Sequence, residues 1–285
     1  MKKFLLKVTS GPDYSFTFNQ ERRKVFYDEF HFHPQLELTL IIQGSGTRFV
    51  GDNIETFSEG DLVLIGPNLP HLWKSNPSNY QSKTRDAVSC TIHFSYDFLG
   101  ETFFNKPELK KVKTLMSRSA VGLRLFGKLR HKIEMLMLEM KSKTPMDRLI
   151  GFLEILHHIS ESSLIRPLSS KRIAKAYEPY DNARLQAVHQ FIIANFRDNI
   201  TLKDVASKGN MSPTGFSRYF KQKMSKTYMQ FLTEVRIGFA CQLLKEKKLK
   251  ISQVCYDSGY SNISNFNRQF KLIMRLTPQQ YLASV

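Results

Sequence analysis

The C-terminal hundred residues contain one pattern twice, and this repeat constrains the fold more than any other feature of the chain. An aromatic and basic framework recurs in residues 201–223, TLKDVASKGNMSPTGFSRYFKQK, and in residues 250–272, KISQVCYDSGYSNISNFNRQFKL. Phe216 and Phe220 of the first copy match Phe266 of the second and the phenylalanine four residues beyond it, at an offset of fifty residues. A constant offset over a whole unit predicts two copies of one small architecture.

The first copy has the signals of a helix-turn-helix unit. Thr201 is a suitable N-cap for one helix, with Asp204 three residues later to complete the cap. Gly209 is predicted to adopt the positive φ that a sharp turn between helices demands. Ser212 then caps a second helix whose first residue is Pro213, where the missing N–H costs nothing.

The second helix of each copy is the predicted DNA-reading helix. In the second copy Gly259 makes the turn and Asn262 caps the helix. Burial of the phenylalanines leaves polar side chains exposed; Arg and Asn can pair with guanine and adenine, Ser and Thr with bases or phosphates, and Ile263 with a thymine methyl. The residues predicted to contact DNA are Ser212, Thr214, Ser217, Arg218, Lys221, Ile263, Ser264, Asn267, Arg268 and Lys271.

Between the two copies, residues 228–247 have the apolar spacing of one continuous helix. A helix of about nineteen residues is roughly 28 Å long. This length is close to the ~34 Å repeat of B-DNA, so one subunit is predicted to read two successive major-groove segments.

The distribution of charge supports a nucleic-acid partner. The formal net charge is +17, and residues 183–285 hold sixteen Lys and Arg against five Asp and Glu, which places +11 of it there. A compact basic domain attracts polyanions through phosphate neutralisation. An anionic membrane surface is the rival partner, but these charges punctuate globular helical patterns and do not form one basic amphipathic helix. No membrane partner is therefore predicted.

The chain also lacks the signals of export and of cysteine chemistry. No run of eighteen apolar residues occurs, and the N-terminus has no convincing signal peptide, so a cytoplasmic location is expected. Cys90, Cys241 and Cys255 lie far apart without a CxxC spacing, and we interpret all three as reduced packing residues.

The fold class predicted for the whole chain is multi-domain α and β. Residues 1–105 alternate between apolar and polar residues, with turn clusters about every ten residues, as in a small barrel. Residues 106–165 are predicted to be a helical dimerisation region, residues 166–182 a linker, and residues 183–285 an all-α DNA-binding domain. The predicted apolar stripes of the dimerisation helices are Leu129, Ile133, Leu136 and Met140, and Met146, Leu149, Phe152 (or Leu153), Leu156 and Ile159.

Residues 183–285 resemble the DNA-binding region of the AraC/XylS family of bacterial transcription regulators. The resemblance implies a seven-helix module with two recognition helices in adjacent major grooves. Ser225 and Arg275 depart from it, because the family often has glycine after each recognition helix; a left-handed residue there costs about 1 kcal/mol. The residues that carry the resemblance are Ser212, Phe216, Arg218, Phe220, Lys221, Arg236, Leu243, Leu244, Ile251, Gly259, Tyr260, Phe266, Arg268, Phe270, Lys271, Thr277, Pro278 and Tyr281.

The N-terminal region resembles a cupin barrel. His31, His33 and Glu37 match the first cupin motif, and His71 ends a stretch similar to the second. The sensor domains of AraC-type regulators resemble cupins and often bind an organic effector without metal, so these four residues and Trp73 are predicted to bind an effector. No cofactor is predicted. Three imidazoles and a carboxylate also suit zinc, iron, manganese or nickel, so a metal site at His31, His33, Glu37 and His71 is the alternative.

The sequence therefore predicts a DNA-binding transcription regulator rather than an enzyme, with an activator as the expected type. Its predicted partners are promoter DNA, a small-molecule effector such as a sugar, RNA polymerase and a second copy of the chain, joined through residues 127–163. A metal-dependent cupin enzyme fused to a DNA-binding module is one alternative. A constitutive architectural protein with little sequence preference is another.

Overall fold

The structure is a computed structural model that describes residues 15–26, 31–76, 86–170, 182–224 and 226–284. Within these ranges the strands and helices fall in the predicted order, with a β-rich domain first and a helical domain last. The predicted fold class is confirmed. Among the described helices, none combines the length and the hydropathy that crossing a bilayer requires.

Two antiparallel sheets form the N-terminal barrel. Their strands are β1 (Phe16–Arg23), β2 (Leu36–Gln43), β3 (Gly46–Val50), β4 (Asn53–Phe57), β5 (Leu62–Ile65), β6 (His71–Ser75), β7 (Ala87–Phe94), β8 (Leu123–Leu125) and β9 (Ile165–Pro167). The larger sheet has the strand order β1-β7-β2-β5-β8-β9, and the smaller has the order β4-β3-β6.

The larger sheet has two buried faces, which its strands separate by alternation. Leu38 of β2 and Ile92 of β7 are paired in the ladder and belong to the apolar core shared with the helices that follow the barrel. Glu37 and His93 are the neighbouring pair, and both side chains are buried on the opposite face. This second face lines the barrel interior, where the polar cluster described below is found.

Three helices cover the outer face of this sheet: α1 (Lys110–Arg118), α2 (Gly127–Glu139) and α3 (Pro145–Glu161). Ile133 of α2 and Phe152 of α3 are completely buried in the core with the sheet. The predicted stripes are thus confirmed in the middle of each helix. Met146 is an exception, because its side chain is 64% exposed in the first turn of α3.

The boundaries of the sheet domain differ from those predicted. β8 lies within the stretch predicted to be helical, and it joins the sheet by pairing with β5. β9 falls at the start of the predicted linker and pairs with β8, while Ser169 donates a hydrogen bond to Asp52 in the β3–β4 turn. Three-residue strands were missed because their sequence is too short to show alternation. The rest of the predicted linker, residues 171–181, lies outside the described residues.

The described residues of the C-terminal domain form seven helices: α4 (Asn182–Asn195), α5 (Leu202–Lys208), α6 (Pro213–Met224), α7 (Tyr228–Lys245), α8 (Ile251–Asp257), α9 (Ile263–Met274) and α10 (Pro278–Ser284). The predicted caps are present. Thr201 and Asp204 form a reciprocal capping box, Ser212 accepts from the N–H of Gly215, and Asn262 accepts from two backbone N–H groups of α9.

The two turns between paired helices use different residues. Gly259 has the predicted positive φ of 84°, and a Cβ there would lie 2.8 Å from the carbonyl oxygen of Phe196. The prediction for Gly209 was wrong, because its φ is −88° and the next residue, Asn210, has the positive φ of 51°. Asparagine tolerates the left-handed region better than most residues with a Cβ, so the turn shifts by one position.

The residue that ends α9 and the three cysteines occupy well-defined positions. Arg275 ends α9 in the left-handed conformation, with φ of 61°, so the cost stated for such a residue applies at this position. Ser225, the corresponding residue after α6, lies outside the described residues. Cys90, Cys241 and Cys255 are buried and free, which confirms their role as packing residues.

Candidate functional site

Helices α6 and α9 present the predicted DNA-reading faces. Phe216 and Phe220 of α6, and Phe266 and Phe270 of α9, are completely buried. The opposite side of each helix faces solvent. All ten residues predicted to contact DNA are exposed: Ser212, Thr214, Ser217, Arg218, Lys221, Ile263, Ser264, Asn267, Arg268 and Lys271.

The arginines of these two faces have different surroundings. On α9, one guanidinium nitrogen of Arg268 donates to Asn265 Oδ1 at 3.0 Å, one turn before it. On α6, Arg218 lies on the same exposed side as Ser217 and Lys221, and the three line one shallow surface depression. Each face therefore combines a positive charge with short polar groups, the composition that base and phosphate contacts require.

Helix α7 joins the two helix-turn-helix units. It has eighteen residues, which corresponds to about 27 Å. Arg236, near its middle, donates to the carbonyl oxygens of Phe196 at 2.7 Å and Asp198 at 2.9 Å, just after the end of α4. The same guanidinium lies over the ring of Tyr260, 5.6 Å from its centroid, at the turn of the second unit. Arg236 thus fixes α4 and the second unit against α7.

The predicted effector residues come together inside the barrel. His31, His33, Glu37 and His71 are buried, and one ligand-type atom of each lies within 4.8 Å of those of the other three. His31 and His71 exchange backbone hydrogen bonds of 3.2 and 2.9 Å, which hold the first histidine beside β6. Trp73, the fifth predicted residue, is buried two positions along β6, and its ring centroid is 5.9 Å from that of His71.

Glu37 is the centre of this cluster. Its Oε2 lies 2.9 Å from Nε2 of His33 and 3.2 Å from Nε2 of His71. Its other oxygen, Oε1, accepts a short hydrogen bond from the hydroxyl of Thr39. One carboxylate is therefore surrounded by nitrogen and hydroxyl groups in a buried site.

Burial and the charge of Glu37 shift the pKa values of His33 and His71 in opposite directions. Burial lowers the pKa of His33 despite its hydrogen bond to Glu37. Burial also opposes the charged form of His71, but the nearby Glu37 charge and hydrogen bond raise its pKa. For Glu37, burial favours the neutral acid, yet the charge of His71 and the hydrogen bonds from the histidines hold its pKa well below the usual range. The carboxylate is ionised at neutral pH.

A fourth histidine was missed by the sequence analysis. His93 lies opposite Glu37 in the β2–β7 ladder, and its Nε2 is 3.0 Å from Glu37 Oε2. Its Nδ1 has no hydrogen-bond partner among the described residues. The available signal was the alternation of β7: if Ile92 and Phe94 face the helices, then His93 faces the barrel interior.

A buried ion-pair network lies beside the cluster. Arg48 of β3 is fully buried, and one of its guanidinium nitrogens lies 2.5 Å from both carboxylate oxygens of Asp61. Trp73, opposite Arg48 in the β3–β6 ladder, donates its indole N–H to Asp61 at 3.3 Å. The side chain of Trp73 thus connects the histidine cluster to the inner face of β3.

The outer face of β3 contacts the DNA-binding domain. Gln242 of α7 is buried and donates its side-chain amide to the hydroxyl of Thr47. Gly238, one turn earlier, lies so close that an added Cβ would be 3.3 Å from a methyl group of Ile54 on β4. The helix that joins the two helix-turn-helix units therefore packs directly on the barrel. Gly238 was the only hint of this in the sequence, since glycine inside a helix often permits close approach.

Two lysines and a cavity extend this contact. Lys226 donates to the carbonyl oxygen of Asp52 at 2.8 Å, and Lys74 donates to that of Ile193 at 3.0 Å. Beside them, a cavity of about 380 Å³ opens between the barrel and helices α4 and α7. Its lining includes Thr47, Phe49, Lys74, Ile193, Arg197 and Phe239.

Comparisons with known proteins agree with this two-domain architecture. Residues 14–134 match the AraC-like ligand binding domain, and residues 205–284 match a helix-turn-helix domain. The chain is 22% identical to the uncharacterized HTH-type transcriptional regulator YdeC of Bacillus subtilis, across 90% of this chain and 86% of YdeC. It is 24% identical to the lactose operon transcription activator of Staphylococcus xylosus, across 86% of this chain and 82% of that protein.

Solved structures are also similar to part of this chain. The C-terminal domain of AraT, a response regulator from Geobacillus stearothermophilus, covers 36% of this chain and 85% of its own length, with 30% identity and a TM-score of 0.35.

Proposed function

Since this chain belongs to the AraC family of helix-turn-helix transcription regulators, we propose that it activates promoters under the control of a small molecule bound in its N-terminal barrel. One observation carries the proposal: α7, which joins both helix-turn-helix units, packs on barrel strands β3 and β4. A change inside the barrel thus has a direct physical route to the DNA-binding domain. The proposal includes no catalytic activity and places the protein in the cytoplasm, with promoter DNA.

The route has three steps. The effector contacts the cluster of His31, His33, Glu37 and His71, with Trp73 beside it. Trp73 is hydrogen-bonded to Asp61, which also holds Arg48 of β3. The residue before Arg48 is Thr47, whose hydroxyl accepts from α7 on the outer face of the same strand. An effector can act through this route only by binding the docked and released arrangements with different affinities.

Activation is the expected direction, with RNA polymerase as the partner at the promoter. One relative, the lactose operon transcription activator of Staphylococcus xylosus, carries that role in its name. A sugar is one candidate effector, because short polar and charged groups converge inside the barrel.

A homodimer is proposed through α2 and α3. Met135 of α2 is 48% exposed and Ile150 of α3 is 53% exposed, although the two helices are otherwise packed into the core. Burial of such side chains against a second copy would remove apolar surface from water. Two copies would then present four recognition helices to one promoter.

The experiment combines DNA binding with transcription. The full-length protein is mixed with its own upstream region, with and without candidate sugars, and affinity is measured by fluorescence anisotropy. Transcripts are measured with purified RNA polymerase on the same DNA. We expect an effector to change the affinity by at least about 5-fold and the protein to increase transcript yield. A fall in transcript yield would contradict activation, and an affinity that no metabolite changes would contradict effector control.

A further inference from the structure

We propose that the cavity between the barrel and helices α4 and α7 binds a small aromatic carboxylate. The cavity has a volume of about 380 Å³, within the range of roughly 300–1,000 Å³ that ligand pockets occupy. Both domains line it, the barrel through β3 and β6, and the helical domain through α4, α7 and the residues just after α4. The inference adds a second binding site and does not depend on the function proposed above.

The cavity lies on the outer face of strands β3 and β6. Arg48 and Trp73 are partners in the β3–β6 ladder, and both are hydrogen-bonded to Asp61 in the barrel interior. Because side chains alternate along a strand, Phe49 and Lys74, each one position further along, point to the opposite face. Both of these side chains line the cavity, whereas Trp73 and the histidine cluster do not. The site is therefore separate from the one inside the barrel.

Two positive charges, one from each domain, meet at this cavity. Lys74 of β6 is partly buried, and its Nζ lies 5.5 Å from the centroid of the Phe196 ring. The guanidinium carbon of Arg197 lies 5.8 Å from the centroid of the same ring. Lys74 donates to the carbonyl oxygen of Ile193, a neutral acceptor, and Arg197 forms no ion pair with any carboxylate of the described residues. The cavity thus offers both cations to one anion.

The remaining walls favour an anion with an aromatic body. Phe196 and Phe239 meet edge to face, with ring centroids 5.1 Å apart, and Phe49 lines the cavity from the barrel side. Thr47 and Gln242, which are polar residues of the lining, are hydrogen-bonded to each other. An aromatic ring packs well against such walls in offset or edge-to-face geometry. An inorganic phosphate has no apolar surface to place against them.

The position of the two charges gives the ligand a mechanical effect. Arg197 is exposed, so a carboxylate can reach it from solvent, whereas Phe239 is buried and contacts the aromatic body. A carboxylate between Lys74 and Arg197 contacts both domains at once. Since the complete site exists only while the domains are docked, the ligand stabilises the docked arrangement.

The main test is binding of aromatic carboxylates by the full-length protein in the absence of DNA. Benzoate, 1-naphthoate and indole-3-acetate are screened by ligand-observed NMR, and the tightest binder is titrated by calorimetry. We expect saturable binding of one molecule per chain. The corresponding neutral amide keeps the ring but lacks the charge, and it should bind at least about 10-fold more weakly. Absence of saturable binding by all three acids, or equal binding of acid and amide, would overturn the inference.

Arg197→Gln tests the position of the anion. The substitution removes one of the two charges at an exposed position, and affinity for the carboxylate should fall by at least about 10-fold while affinity for the amide changes little. Arg22→Gln is the matched control, because it removes the same charge from a side chain that is 69% exposed on β1. Carboxylate binding that Arg197→Gln leaves unchanged would place the anion elsewhere and overturn the inference.

Gly238→Leu tests whether both domains form the site. An added Cβ at Gly238 would lie 3.3 Å from Ile54, so leucine should separate α7 from β4 while both Lys74 and Arg197 are retained. We expect carboxylate affinity to fall by at least about 10-fold. Full affinity in a Gly238→Leu protein whose two domains unfold separately would place the site within one domain and overturn the inference. Failure of these tests leaves the regulator proposal standing if DNA affinity still responds to a metabolite.

Discussion

Thr47 of the barrel accepts a hydrogen bond from the side-chain amide of Gln242, which lies on the helix that joins the two helix-turn-helix units. Both residues are buried. Replacing this contact by water requires the two domains to separate, because neither side chain reaches solvent in the docked arrangement. The stability of the barrel and that of the DNA-binding domain are therefore expected to be coupled.

Gly238→Leu tests this coupling. A Cβ added at this position would lie 3.3 Å from a methyl group of Ile54, so a whole leucine side chain would force α7 away from β4. Leucine has a higher helix propensity than glycine, so α7 itself should remain helical. We expect differential scanning calorimetry to show one joint unfolding transition for the wild-type protein and two separate transitions for the variant. Met229→Ala, at a 58% exposed position on the same helix, is the control and should keep the joint transition. A joint transition in Gly238→Leu would contradict the docked arrangement.

A pH dependence is expected from His189 of α4. Burial against Phe220 and Phe231 lowers the pKa of His189 to about 3, from an ordinary value of 6.5. Below about pH 6.5 the unfolded chain therefore binds a proton that the folded chain does not, and stability falls as pH decreases from 6.5 towards 3. Well above pH 6.5 the imidazole is neutral in both states, so His189 no longer makes the free energy of unfolding depend on pH.

The measurement for His189 compares two urea-unfolding series between pH 7 and pH 4, on the wild-type protein and on His189→Leu. Well below pH 6.5, His189 should lower the free energy of unfolding by about 1.4 kcal/mol for each unit that the pH falls. The leucine variant lacks the titrating group, so its pH slope should be smaller by that amount. Equal slopes for the two proteins would show that His189 does not titrate on unfolding.

Arg275 gives a prediction about backbone strain. It ends α9 with φ of 61°, a conformation that glycine adopts without a Cβ penalty. Arg275→Gly should raise the free energy of unfolding by about 1 kcal/mol. Arg275→Ala removes the same charge but keeps the Cβ, so it separates the two effects. If both substitutions raised the free energy of unfolding equally, the increase would come from removal of the charge and not from relief of backbone strain.

The proposed dimer is tested on the full chain by sedimentation velocity at increasing protein concentration. Met135→Asp combined with Ile150→Asp places two charges on exposed positions of α2 and α3, where they remain in solvent in the folded monomer. We expect the wild-type protein to sediment as a dimer and the double variant as a monomer. Ser117→Asp, at an exposed position of α1, should remain dimeric. A wild-type protein that is monomeric throughout would rule out this interface.

The sequence was most informative where the physics is local. Caps such as Thr201 and Asn262 act over two or three residues, and the buried phenylalanines of α6 and α9 repeat at helical spacing, so both units and their exposed faces could be predicted. The turn after α5 shifted by one residue, because Gly209 and Asn210 both suit a left-handed conformation.

Features that depend on contacts between distant segments were not predictable. The position of His93 beside Glu37 requires the register of β7 against β2, 56 residues apart. The packing of α7 on β3 joins Gln242 to Thr47 across 195 residues. Local patterns carry no information on which surfaces meet, except for a small residue such as Gly238 at the point of closest approach.

Substitutions in the two recognition helices should have separate effects on the DNA sequences that the protein prefers. Arg218→Ala and Arg268→Ala should each cost about 1–3 kcal/mol in binding and relax preference at particular base positions. Lys113→Ala removes the same charge from the N-terminal domain, and it should leave both affinity and preference unchanged. Equal weakening on all sequences would assign the arginines to phosphate contacts.

Selection of bound sequences from random DNA by the full-length protein tests the central claim, that one chain reads two successive major-groove segments. The expected result is a motif of two conserved blocks centred about 10 base pairs apart, with Arg218→Ala degrading one block and Arg268→Ala the other. A single block, or no sequence preference at all, would contradict it.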